Sequence, residues 1–183
     1  ASFNKSSLDK TFKDLQDKRL LTFDSDKITR IELAVKGKSV EFGKNSNNEW
    51  QILKPKTMRA DGGNVEELIR KLKDAKMDPM VSEADAKKAV TEFAVAALAG
   101  VAKITDASGA HQLEVRKAKD NTYYVKGSAV EGAVKGAADL GDGISKEVDT
   151  YRQKKLFDFG WNDPGKIEIR EGGRSRALAK TGG

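Results

Sequence analysis

From Ile31 the chain alternates. Ile31, Leu33 and Val35 hold every second position, Lys36-Gly37-Lys38 interrupts the run, and Val40 and Phe42 resume it. A period of two puts apolar groups on one face of a strand, and a glycine-centred break between two such runs predicts a β-hairpin. Asn45 to Asn48 reads as a polar turn, and Trp50 and Ile52 as a third short strand that Pro55 ends. The spacing then lengthens. Val65, Leu68, Ile69 and Leu72 fall at i, i+3, i+4 and i+7, which predicts a helix with Asn64 as N-cap and Glu67 completing a capping box. Asp78-Pro79 bars any helix from running up to residue 80. Ser82 and Asp85 make a second capping box, and Val90, Phe93, Ala94, Ala97 and Leu98 predict an Ala-rich helix that Gly100 closes.

Beyond Gly100 the texture is β again. Val101 and Ile104 lead to a turn at Asp106-Ala107-Ser108-Gly109, then to Leu113 and Val115. Lys119-Asp120-Asn121 marks another turn before Tyr123-Tyr124-Val125, a strong strand former. Residues 128–140 suit a weak helix, Gly141-Asp142-Gly143 a loop, and Ser145 the cap of one helical turn to Tyr151. Strand runs separated by one or two helices predict an α+β fold of curved antiparallel β-sheets with those helices packed against them.

A stretch near the start recurs near the end at an offset of 136 residues, without a gap. Lys18, Leu20 and Phe23 match Lys154, Leu156 and Phe159; Ile31 and Glu32 match Ile167 and Glu168; Gly37 matches Gly173, and Lys44 matches Lys180. The match suggests a β-hairpin unit used twice. The expected organisation is a lead-in over 1–19, a first hairpin-plus-helix unit over 20–100, and a second β-rich unit over 101–183 with an incomplete repeat at 154–183. The hairpin at 166–180 is expected to pair into an existing sheet and leave an exposed edge where a third strand belongs.

Composition narrows the function classes. Apolar residues are 38% and charged residues 34% of 183, enough for a modest core. No apolar run approaches the roughly 18 residues of a membrane span. The chain begins at Ala1 rather than Met, which fits an N-terminal segment that was either removed or never included. Net charge is +6, but the basic residues interleave with acids, as in Glu66-Glu67 followed by Arg70-Lys71. Such alternation marks a solvated face, so no nucleic-acid partner is expected. Without cysteine there are no disulfides, thiol catalysis or Cys-based metal sites.

The candidate chemistry is thin. His111 is the single histidine, and no partner for it is indicated. Asp139, Asp142 and Glu147 lack the spacing of a calcium loop. Gly127 and Gly132 have the spacing that opens a phosphate loop, but Ala133 and Val134 stand where Lys and Ser or Thr are required. Asp61-Gly62-Gly63-Asn64 at a helix start could hold an anion, although capping accounts for the same residues. Trp50, Trp161 and Tyr123-Tyr124 could line a ligand groove, with Trp50 better suited to the core. No catalytic, cofactor-binding or metal-binding residue is assigned, and neither enzymatic activity nor a cofactor is expected.

One resemblance is carried by Trp50-Gln51-Ile52-Leu53-Lys54-Pro55, Arg59-Ala60-Asp61, and Val65, Leu68 and Leu72. Ile28 to Leu33, Tyr123 to Lys126 and Tyr151-Arg152 before Lys155-Leu156 fit as well. Together they resemble a bacterial domain-of-unknown-function family, number four-three-four-zero. The resemblance implies a short N-terminal membrane anchor followed by an extracytoplasmic domain, often encoded beside gliding-motility-type ABC transport components. It carries over no catalytic residues. The implied role is a non-enzymatic, membrane-anchored periplasmic protein that binds protein partners in an envelope transport or motility assembly. The alternative is an extracytoplasmic module binding glycan, peptide or lipid in a cleft between the two repeat lobes. A third possibility, a hydrolase with an unusual site, requires His111 to lie near a carboxylate or hydroxyl in a pocket.

Overall fold

Two antiparallel meanders lie side by side in one sheet. The computed structural model describes residues 17–78, 82–155, 157 and 164–180. The first meander comprises β1 (Arg30–Val35), β2 (Lys38–Lys44), β3 (Trp50–Lys54) and β4 (Met58–Arg59). The chain then passes through helices α1 (Gly62–Lys73) and α2 (Glu83–Val95). It returns as β5 (Ala97–Asp106), β6 (Gly109–Lys117), β7 (Tyr123–Gly127) and β8 (Val134–Lys135). Because β5 pairs with β1, the sheet runs β4-β3-β2-β1-β5-β6-β7-β8. A third helix, α3 (Ala138–Ile144), and a 3-10 turn (Val148–Tyr151) complete this part of the fold. The architecture is α+β, with three α-helices among the described residues, where one or two were expected.

The alternation read from the sequence decides which face is buried. Ile31 pairs with Phe42 and Ile104, and all three are fully buried. Ile52, Leu113 and Val125 extend the same core. The α1 stripe Val65, Leu68, Ile69 and Leu72 is buried in that cluster, at roughly 1.5–3 kcal/mol per large apolar side chain removed from water. Helix α2 contributes much less, because only Ala89 is buried and Val90 is half exposed. Its Phe93 ring meets the Arg116 guanidinium, 4.8 Å away, on a residue adjacent in sequence to the core-facing Val115.

Several elements depart from the sequence expectation. The N-cap of α1 is Asp61 rather than Asn64: its carboxylate accepts from the Asn64 N–H at 3.1 Å, so the glycines form the first helical turn. Helix α2 ends at Val95, and Ala97 and Leu98 belong to β5, where cross-strand pairing with Lys117 and Arg116 overrides alanine's helical preference. The stretch 128–140 holds β8 rather than a weak helix, and Gly141-Asp142-Gly143 lies inside α3 rather than in a loop. Gly141 is required there by contact, since a Cβ would overlap the Tyr123 ring. The cap of the last 3-10 turn is Glu147, not Ser145. Ser82 does cap α2, with Asp85 as its partner.

The chain divides into compact units at Ala1–Gln153 and Lys154–Gly183. Residues 20–100 and 101–153 share one sheet, and β5 runs across residue 100. The second unit contains β9 (Lys166–Glu171) and β10 (Arg174–Ala179), which form their own two-stranded sheet rather than joining an existing one. Its register is that of β1–β2 moved by 136 residues: Ile167 faces Leu178 as Ile31 faces Phe42, and Ile169 faces Arg176 as Leu33 faces Val40. The turns agree too, with φ of 49° and 76° at Lys36-Gly37 and 52° and 77° at Gly172-Gly173. Any two strands of this length joined by a two-residue turn of this type share that register, so the agreement does not demonstrate duplication. The lead-in 1–16 and Leu156 lie outside the described residues.

Candidate functional site

The β5–β6 turn gathers the most chemistry in the structure. Asp106 ends β5, Ser108 sits in the turn and His111 lies on β6, half-buried. The Ser108 hydroxyl donates to Asp106 Oδ1 at 2.7 Å, and His111 Nε2 lies 3.1 Å from both that oxygen and Ser108 Oγ. The backbone N–H groups of Ser108 and Gly109 donate to Oδ1, and that of Asp24 donates to Oδ2 at 2.8 Å. The Ser108 hydroxyl, then the Asp24 N–H, hold the Asp106 carboxyl well below the usual carboxylate range, outweighing its burial.

These three residue types are those of an acyl-transfer triad, but their arrangement is different. A triad needs one imidazole nitrogen to take the serine proton while the other is held by the carboxylate. Here both contacts fall on Nε2, and the serine proton points to the carboxylate. The cluster is a carboxylate caged by five donors, and it locks the β5–β6 turn onto the segment at Asp24. His111 therefore lies near both a carboxylate and a hydroxyl, and it does not line the recess bounded by Leu33, Val35, Val40 and Val148.

The other sequence candidates are scattered. Trp50 is buried in the core, where its Nε1 donates to Glu66 Oε1 at 2.6 Å. Tyr123 and Tyr124 are both buried. Trp161 lies outside the described residues. The helix start at Asp61-Gly62-Gly63-Asn64 is filled by Asp61 itself, and the Asn64 side chain donates to the Thr150 carbonyl. Gly127 sits within β7 and Gly132 in a turn with φ of 76°. Asp139 is exposed on α3, and Glu147 pairs with Lys36 at 3.6 Å. No group of metal-ligating side chains occurs among the described residues.

Two charged clusters are structural in their geometry. Glu41 is held between Lys54 at 2.9 Å and Arg30 at 2.7 Å, and these cations keep its carboxyl below the ordinary glutamate value. Glu67 accepts from Lys146 and Lys71, with the same direction of shift, and so ties α1 to the segment before the last 3-10 turn. Tyr151, in that turn, packs edge-on against Phe42 with ring centroids 5.1 Å apart.

The tail hairpin falls at the residues the sequence indicated, but its strands pair with each other and not into the larger sheet. Every residue of β9 and β10 is exposed, including Ile167, Ile169 and Leu178. By strand alternation and register these three share one face, whose counterparts in β1–β2 are the buried Ile31, Leu33 and Phe42.

Residues 50–183 match the family described as a domain of unknown function, DUF4340. The chain belongs to this family. The matched stretch begins at β3 and takes in α1, the second meander and the tail hairpin, leaving β1 and β2 outside it. No curated protein and no solved structure matches the chain. Among the described residues no helix of this DUF4340 chain is long and apolar enough to cross a membrane.

Proposed function

We propose that this DUF4340 chain is a non-enzymatic, extracytoplasmic interaction module of a membrane-anchored protein, serving an envelope transport or motility assembly. The observation that carries the reading is the β9–β10 hairpin, with its exposed apolar face and its strands paired only to each other among the described residues. Unpaired strand edges beside apolar side chains suit recognition by strand addition, in which main-chain bonds supply affinity and alternate side chains supply specificity. Self-contained charge clusters, rather than groups poised around a cleft, fit the same reading. The glycan, peptide or lipid alternative called for an aromatic-lined cleft holding Trp161 or Tyr123; the burial of Tyr123 does not favour it, and Trp161 lies outside the described residues.

The test uses the full-length protein in its native cells. A photo-crosslinking amino acid placed at Ile169 or Leu178 is expected to trap one recurrent envelope protein. Ile167→Lys should abolish that adduct, while the same probe at the exposed Asp120 should give none. Absence of an envelope adduct from both hairpin positions, or an adduct indifferent to Ile167→Lys, would overturn the reading.

A further inference from the structure

At the turn end of the β1–β2 hairpin, the edge of the core borders a recess of about 160 Å³. Leu33, Val35 and Val40 form its floor with Val148 from the last 3-10 turn. Leu33 faces Val40 and Val35 faces Lys38 across the strands, so Lys38 continues the apolar face as a cation at its outer end. Lys36, Lys146 and Glu147 complete the rim.

We propose that this recess binds a small monocarboxylate whose apolar tail is about the size of a benzene ring. The volume sets the tail, because a cavity of roughly 150 Å³ is enough to take benzene. The rim sets the head. Lys146 is committed to Glu67 at 3.2 Å, and Lys36 reaches Glu147 at 3.6 Å, whereas Lys38 makes no ion pair among the described residues. One uncommitted ammonium suits a single negative charge, and Glu147 on the rim opposes a dianion such as phosphate.

Titrating the full chain with 3-phenylpropionate, followed by amide chemical shifts, tests it. Saturable shifts are expected at Leu33, Val35, Val40 and Val148. The neutral 3-phenylpropanamide should bind about fivefold more weakly, the worth of one exposed charge contact. Lys38→Gln leaves the exposed hairpin end intact and should bring the acid down to the amide's affinity. Val148→Phe should block both ligands. The proposal fails if no saturable shift appears by roughly 10 mM ligand, an affinity too weak for a specific site. It also fails if acid and amide bind equally, if Lys38→Gln changes nothing, or if the shifts map elsewhere.

Discussion

Replacing Tyr151 by phenylalanine removes one polar atom from the core and is expected to stabilise the protein. The side chain is 1% exposed, and its hydroxyl has no hydrogen-bond partner among the described residues. Burying an unpaired hydroxyl costs about 1–3 kcal/mol. Removing it leaves a void of one atom, worth roughly 0.3 kcal/mol at the usual cavity coefficient. The ring keeps its edge-on contact with Phe42. The net gain is therefore about 1–2.5 kcal/mol, at ~2–4 °C in Tm per kcal/mol for a domain of this size. Thermal and urea unfolding followed by circular dichroism would read it, with Tyr151→Leu as the control that loses the ring and falls well below wild type. There is a second signature at alkaline pH. Burial, then the nearby Glu67 carboxylate, pushes the Tyr151 phenol up to about 12. The folded state thus holds its proton more tightly than the unfolded chain, whose tyrosines titrate near ~10. That contribution is fully present below the unfolded value and is lost as pH rises through the folded one. Wild type should show this alkaline loss, and Tyr151→Phe should not. A lower Tm for the phenylalanine variant at neutral pH would refute the reasoning, because it would mean the hydroxyl is satisfied.

Other substitutions probe the remaining structural arguments. Asp106→Asn puts an amide among five donors and should lower the denaturation midpoint at neutral pH. Because the native carboxyl titrates below its unfolded value, its contribution is present above about pH 4 and fades as pH falls further, so the gap between wild type and variant should narrow towards pH 2. A gap independent of acid would contradict the cage. Gly141→Ala should cost about 1–3 kcal/mol by overpacking against the Tyr123 ring, despite alanine's better helix propensity; a stabilised variant would show that α3 sits farther from β7. Asp61→Ala should cost about 1 kcal/mol through the lost N-cap, measurable by urea unfolding. An unchanged midpoint there would reassign the cap.

Local rules carried far in this chain where they were mutually consistent. The alternation at Ile31, Leu33, Val40 and Phe42 identified the hairpin and its buried face, because register has to keep every second residue in the core. The stripe of α1 and the Ser82 cap were equally legible, each resting on contacts within four residues. The readings failed where distant partners decide. Ala97 and Leu98 favour a helix in isolation but join β5 because β6 offers a full ladder. The glycines at 141 and 143 resemble a loop until Tyr123 and Lys71 are seen against them.

Chemistry divided along the same line. The Asp106, Ser108 and His111 spacing was visible as a turn, but only the three-dimensional arrangement put Ser108 and His111 on one carboxylate oxygen. The recess beneath Lys38 left no mark on the sequence at all, since Val148 reaches it from more than a hundred residues away. The amino-acid order alone determined the α+β class, the hairpin faces and the α1 stripe, because those depend on periodicity along a short segment. Tertiary structure alone decided which strands are neighbours, which glycines are helical and which side chains meet around the recess, because those depend on burial shared between segments that meet only on folding.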